Sequence, residues 1–273
     1  MTASHNPGGE HGDFGIKFNA ANGGPAQEHF TEAVYEASKK IEAFVNVSNL
    51  PNVNLGVAGS AKHTIKHLDG STTDFEVEVI DRVKDYVNYM EELFDFEKIK
   101  TFVTSGSFKL CFDGMHGVSG PYARELFINK FGISEDQLMR CNILPDFGGA
   151  HPDPNLTYAP ELVDILGLKD AAKEGVPEFG AACDGDADRN MILGKKFFVT
   201  PSDSLAIIVA NNHMIKQFQS CEFTGAARSM PTSGALDKVI EHFQRIEETR
   251  HVQLFETPTG WKFFGNLMDA GKI

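Results

Sequence analysis

Apolar residues recur along this chain with two different periods, and the switching between them sets out the expected elements. Phe30, Val34, Ala37, Ile41 and Phe44 fall at helical spacing in a segment rich in Glu and Lys, which predicts an amphipathic helix. From residue 46 to 71 the composition turns to Asn, Gly, Ser and Thr with scattered apolar residues. Phe75, Val77 and Val79 then alternate with Glu76 and Glu78 as a strand does, and Val83, Val87, Met90, Leu93 and Phe94 return to the helical period. Residues 108–112 read as a short buried strand, and Pro121 opens a helix through Leu126 and Phe127 that Gly132 closes. Further strands are expected at 138–144, 179–183, 197–199, near Phe223 and at 252–255. Further helices are expected from Pro160 through Leu166, from Pro201 through Val209, and from a Ser233 cap through Phe243. Alternating strand and helix predicts parallel βαβ units with crossover helices, in which the loops at the carboxyl ends of strands carry ligands.

Length and charge narrow the class. The 273 residues suffice for about two domains of ordinary size with a real core. Acidic residues outnumber basic ones, 38 to 25, for a net charge of −13, which argues against nucleic acid or an anionic membrane as partner. An anionic substrate would need a locally positive pocket. Cys111, Cys141, Cys183 and Cys221 form no Cys-x-x-Cys pair, so reduced thiols in a cytoplasmic protein are expected rather than a zinc site or disulfides. No apolar run is long enough to span a bilayer, and the N-terminus lacks a signal-peptide pattern. The pattern specifies no oligomeric state.

Candidate chemistry lies in loops. Thr2-Ala3-Ser4-His5-Asn6-Pro7-Gly8-Gly9 holds a serine beside a histidine in a segment that Pro7 and paired glycines keep out of regular structure, so Ser4 is a candidate covalent group. The same composition also makes an ordinary turn, and the loop gains weight only alongside two others. After the strand ending at Cys183 come Asp184, Asp186 and Asp188, three carboxylates at alternate positions that can turn onto one hard cation, magnesium being the natural candidate. A calcium loop of the EF-hand type is excluded by Arg189 at its sixth position and Lys195 at its twelfth. A haloacid-dehalogenase nucleophile loop fits poorly, because Asp186 is followed by Ala187 and another Asp. The bland alternative is a solvated acidic turn, which mutual repulsion would destabilise. His63 and His67 lack a third ligand and read as solvated; 113–117 and 146–149 read as turns, and His116 and His151 stay unassigned.

Together these loops resemble one family. The Ser4 segment resembles the active-serine loop of the α-D-phosphohexomutases, Asp184-Gly185-Asp186-Ala187-Asp188-Arg189 resembles their metal loop, and Pro258-Thr259-Gly260-Trp261-Lys262 resembles a sugar-recognition loop. The run to Ala270, with Arg228-Ser229-Met230-Pro231-Thr232-Ser233, is similar to eukaryotic phosphoglucomutases and their parafusin-like relatives. The resemblance implies tandem phosphohexomutase-type βαβ domains with mixed, largely parallel sheets. It implies the rear of domain one at 1–73, domain two at 74–194 and the front of domain three at 195–273, with the first and third incomplete and a fourth absent. It also implies that Ser4 carries the phosphoryl group and, with Asp184, Asp186 and Asp188, holds Mg2+. Lys17 would be a general acid or base, with His5 a second candidate for that role or for orientation. Arg189 would pair with phosphate or brace the metal loop, and Thr259, Gly260 and Trp261 would recognise the sugar phosphate. The implied reaction interconverts glucose 1-phosphate and glucose 6-phosphate through a phosphoserine and glucose 1,6-bisphosphate, impaired here by truncation. The alternative is a non-catalytic fragment, short isoform or phosphoprotein with a binding role. Two departures stand out. Ala187 replaces the usual Gly, which matters only if the position needs positive φ. A Cys-Gly-Glu-Glu-Ser loop and an Arg-x-Ser-Gly-Thr loop do not occur.

Overall fold

A computed structural model describes residues 2–44, 52–170, 172–220, 223–246 and 252–273. Cys221 lies outside these.

The chain opens with the Ser4 loop and helix α1 (Glu28–Ser38), followed by a hairpin of β1 (Gly59–Lys66) and β2 (Thr72–Val79) paired antiparallel from Gly59↔Val79 to Lys66↔Thr72. This hairpin spans position 73, so the expected division there runs through paired strands. Helices α2 (Arg82–Leu93) and α3 (Phe96–Val103) each start on an aspartate, since Asp81 accepts from the Lys84 amide and Asp95 from the Lys98 amide. Then come β3 (Leu110–Asp113), α4 (Ser119–Ala123) continuing as a wider π-helical stretch over Arg124–Lys130, β4 (Leu138–Met139), α5 (Pro160–Ile165) and β5 (Phe179–Cys183). β6 (Asn190–Gly194) and β7 (Phe197–Val199) complete a five-stranded sheet of order β4-β3-β5-β6-β7. β3 runs parallel to β4 and β5, whereas β5, β6 and β7 form an antiparallel meander. The chain closes with α6 (Pro201–Ala210), α7 (Lys216–Gln219), β8 (Gly225–Ser229), α8 (Ala235–Ile246), β9 (Gln253–Thr257) and α9 (Trp261–Asp269), with β8 and β9 parallel.

Side-chain alternation along the central strands divides the core between the two faces of the sheet. Cys111 and Ala182 join Met115, Leu162, Leu166 and Leu193 on one face, while Leu110, Phe112, Ala181 and Cys183 join Ala123, Phe131 and Ile133 on the other. Each fully buried leucine here stabilises by about 1.5–3 kcal/mol. A third core under β8 and β9 centres on Leu236, Ile240 and Val252.

Several elements differ from the expected ones. The first helix stops at Ser38, and Ile41 and Phe44 are exposed. β4 covers only Leu138 and Met139 of the expected 138–144, because Arg140 turns to φ 49° and sends its guanidinium onto the buried Asp113. β1, α3, β6 and α9 were not expected from the pattern, and β6 makes the acidic segment a hairpin loop rather than a strand-to-helix connection.

Candidate active site

The acidic loop is fixed at both ends by the pairing of Cys183 with Asn190, so residues 184–189 must reverse the chain. The turn needs a left-handed residue, and Ala187 takes it at φ 65°. Asp184 is wholly buried: its Oδ1 accepts from the Arg189 amide at 3.0 Å, and its Oδ2 has no hydrogen-bond partner. Carboxylate oxygens of Asp184, Asp186 and Asp188 lie within 4.8 Å of one another. Burial, followed by repulsion from Asp186 and Asp188, pushes the Asp184 carboxyl up to about 6. Burial also acts on Asp186, but its bond to Lys17 outweighs it and holds that carboxyl below the usual range. An all-oxygen donor set with one buried, orphaned carboxylate oxygen fits a hard divalent cation.

The serine loop is laid directly on this one. Thr2 and Gly15 exchange backbone bonds of 3.0 and 2.8 Å, and the Thr2 hydroxyl accepts from the Ser4 amide at 2.8 Å. Ser4 itself sits at φ 57°. Close approach depends on glycine: a Cβ on Gly185 would lie 2.3 Å from the Ser4 carbonyl oxygen and 2.7 Å from Phe147 Cζ. A Cβ on Gly8 would lie 2.9 Å from Phe147 Cε2, and one on Gly117 would lie 2.7 Å from the Gly185 oxygen. The 113–117 and 146–149 segments are thus turns, as expected, whose backbones and Phe147 ring brace both loops.

Around the Ser4 hydroxyl three groups converge. The hydroxyl lies 3.4 Å from Asp186 Oδ1, to which it donates, and His5 Nδ1 is 3.4 Å away. Lys17 Nζ donates to Ser4 Oγ at 3.3 Å and pairs with Asp186 Oδ2 at 2.5 Å and Asp188 Oδ2 at 2.6 Å. Desolvation opposes the Lys17 charge, but the two carboxylates prevail and raise its pKa above the ordinary lysine value. Lys17 is therefore an ammonium at neutral pH, able to give a proton to an oxygen leaving at the Ser4 position.

Lys17, Asp186 and Asp188 line a cleft of about 1440 Å³ together with Arg189, Thr259, Gly260 and Trp261, and the Ser4 hydroxyl lies beside it within 3.4 Å of Lys17 and Asp186. Arg189 Nη1 lies 3.4 Å from Asp153 Oδ1 and keeps about half its side chain exposed. Gly260 adopts φ 139°, which admits glycine almost alone, and starts α9 so that Trp261 is its first residue. Every site residue expected from the sequence is thus in or beside one cleft. Not foreseen were Gly185, Phe147 and Gly117, and the signal was present only as glycines on either side of each turn. The four other histidines weighed from the sequence have partners of their own: His63 packs on Phe75, His67 bonds Thr73, His116 bonds the Asn142 carbonyl and His151 packs on Tyr158.

Comparison with known proteins gives matches along most of the chain. Family profiles for the phosphoglucomutase/phosphomannomutase α/β/α domains I, II and III match residues 1–44, 84–196 and 201–273. The chain is 52% identical over 272 residues to the cytoplasmic phosphoglucomutase of Pisum sativum, covering 99% of this chain and 45% of the relative. It is 54% identical over 277 residues to phosphoglucomutase-2 of Paramecium tetraurelia, covering 46% of it. The structure superposes with a TM-score of 0.88, at 53% identity, on the open form of the exocytosis-sensitive phosphoprotein pp63/parafusin, a Paramecium phosphoglucomutase, covering 99% of this chain and 46% of that one. The chain thus spans under half the length of these relatives.

Proposed function

The chain belongs to the phosphoglucomutase/phosphomannomutase family, and from that premise we propose that it acts as a phosphoglucomutase-type phosphotransferase on hexose phosphates. It would interconvert glucose 1-phosphate and glucose 6-phosphate, with Ser4 carrying the phosphoryl group and glucose 1,6-bisphosphate as the intermediate. The observation that carries this reading is the convergence of the Lys17 ammonium and the Asp186 carboxylate on the Ser4 hydroxyl, at 3.3 and 3.4 Å.

Each residue then has a physical task. In the forward half-reaction a sugar hydroxyl attacks phosphorus, the Ser4 O–P bond breaks, and Lys17 delivers a proton to Ser4 Oγ as it leaves. His5 orients the hydroxyl or receives the sugar proton. On return, Ser4 Oγ attacks the other phosphoryl and its proton passes back to the Lys17 amine, 3.3 Å away, while the sugar O–P bond breaks and the proton held by the imidazole goes to the leaving sugar oxygen. Magnesium held by Asp184, Asp186, Asp188 and an oxygen at Ser4 would offset the charge of two dianions in a cleft of an acidic protein. Arg189 offers a guanidinium to a phosphate, and Thr259, Gly260 and Trp261 offer the sugar a hydroxyl, a backbone amide and an aromatic face.

We assign three consecutive domains, with the first division at Val79, the end of the hairpin, rather than at 73. Residence in the cytoplasm follows the naming of the plant relatives. The test is a coupled assay of glucose 1-phosphate conversion with magnesium and a trace of glucose 1,6-bisphosphate, beside a Ser4→Ala control. Conversion that the control loses supports the reading. Folded protein that binds magnesium and converts nothing supports instead a phosphoprotein without turnover, the reading suggested by the Paramecium relative.

A further inference from the structure

The segment that carries Lys17 does not end at the cleft floor. Four hydrogen bonds turn residues 18–26 into a tight hairpin: Ala26 donates to the Phe18 carbonyl at 2.8 Å and Ala20 to the Gly24 carbonyl at 2.8 Å, which sets Asn19 opposite Pro25 in an antiparallel β-bridge, Gly23 donates to Ala20 at 2.9 Å, and the Gly24 amide donates to Asn22 Oδ1 at 3.0 Å. Its tip crosses to the far wall of the cleft and lies along one face of α9. There the contacts fall at Trp261, Gly265 and Asp269, three positions four residues apart on the helix. Gly24 is buried against the indole, where a Cβ would lie 2.9 Å from Trp261 Cζ3. Asn22 Nδ2 passes beside Gly265 and donates to Asp269 Oδ2 at 3.0 Å.

We propose that Asn22 and Gly24 are positioning residues, a strap from the serine segment that holds the Trp261 indole and the start of α9 in register with Lys17. Its consequence for sugar-phosphate binding rests on the mutase reading above; the strap itself does not. The indole keeps 55% of its surface exposed to the cleft. A side chain at position 24 would press on the indole, so glycine there lets the ring lie close, and the Asn22 bond fixes the far end of the same helix. Lys17 and Trp261 are then joined by a short, internally bonded hairpin, so the proton donor and the aromatic face cannot drift apart without breaking the Asn22–Asp269 bond or sliding Gly24 off the ring.

Trp261 is the sole tryptophan, so emission excited selectively at the indole comes from this one site. The full chain is compared with N22D, D269N and the N22D/D269N exchange, all at exposed positions, with circular dichroism as the fold control. N22D faces two carboxylates across the contact, and the expected result is a red-shifted Trp261 emission with stronger acrylamide quenching. D269N retains an acceptor for the Asn22 amide and should resemble the parent, and the exchange rebuilds the bond in reverse and should restore parental emission. Parental emission in folded N22D, or failure of the exchange to restore it, overturns the strap. Titration with glucose 1-phosphate and magnesium, read by the same emission, separates the two readings. Affinity about tenfold weaker in N22D and recovered in the exchange supports both. A parent chain silent to glucose 1-phosphate, with the ligand-free pattern intact, overturns the mutase reading and leaves the strap supported.

Discussion

At the scale of single residues, the acidic loop holds two opposing demands. Ala187 occupies a left-handed conformation at φ 65°, which costs a residue with a Cβ roughly 1–2 kcal/mol. The substitution that seemed neutral by size therefore falls where glycine is favoured. Ala187→Gly is expected to raise the stability by about 1 kcal/mol, less than the full strain because glycine gains freedom in the unfolded chain. A urea midpoint that moves up at unchanged m-value would bear this out, and an unchanged or lower midpoint would refute it. Asp184 makes the opposite contribution. Its carboxyl is raised from 3.8 to about 6, so the folded state binds that proton more tightly than the unfolded chain does. The associated stability is present below the unfolded value and is lost as pH rises through the folded one. Metal-free Asp184→Asn should thus exceed the parent in stability at about pH 8 and lose that advantage by about pH 4. Magnesium should raise the Tm of the parent and leave that of the variant unmoved. Thermal melts over pH with and without magnesium measure both effects, and a variant still stabilised by magnesium would remove Asp184 from the ligand set.

At the scale of elements, a buried ion pair joins the ends of two neighbouring strands. Asp113, wholly buried at the end of β3, is held by a two-pronged bond from Arg140, the residue that ends β4. Arg140→Met would strand a buried carboxylate and is expected to destabilise by about 3–5 kcal/mol, whereas Arg124→Met, at an exposed pair with Glu135, should cost under about 1 kcal/mol. Equal costs in denaturant melts would count against the burial argument. Such contacts mark the limit of what the sequence discloses. Elements with a strong period, such as β2 with its Phe75, Val77 and Val79 face or α8 with Leu236, Ile240 and Phe243, are legible because burial imposes the period. β1 was hidden because its first four residues are exposed on both faces, so no alternation is selected there. β6 was hidden because it is five residues long and only Met191 and Leu193 are buried, too short an alternation to stand out beside the acidic loop. Asp95, which accepts from the Lys98 amide, is the residue that marks the start of α3. The residues expected at the site are read by type, but the αL turn at Ala187 and the contact of Gly24 with Trp261 depend on backbone geometry that composition does not encode.

At the scale of the whole molecule, burial is uneven, and the site straddles the boundary. The five-stranded sheet is packed on both faces, with Leu162, Leu166 and Leu193 at 0% exposure. In the first segment α1 buries no residue, and Phe14 and Phe44 are 79% and 86% exposed. Among the described residues β1 and β2 form a two-stranded sheet, an arrangement that is marginal in water by itself. Opening free energies should therefore rise from the first segment to the sheet, rather than reach one global value everywhere. Native-state hydrogen exchange is expected to show amides of α1 and of the β1–β2 hairpin exchanging far faster than those of β3, β5 and β6. The Ser4 loop is the informative exception, because Gly185 and Phe147 tie it to the protected sheet while Lys17 ties it to the acidic carboxylates. Its bonded amides at Thr2, Ser4 and Gly15 should show intermediate protection, which magnesium raises without changing that of α1. Uniform protection across the chain would refute the hierarchy. Magnesium protection confined to residues 184–189 would show that the cation closes the acidic loop alone and leaves the serine loop uncoupled from it.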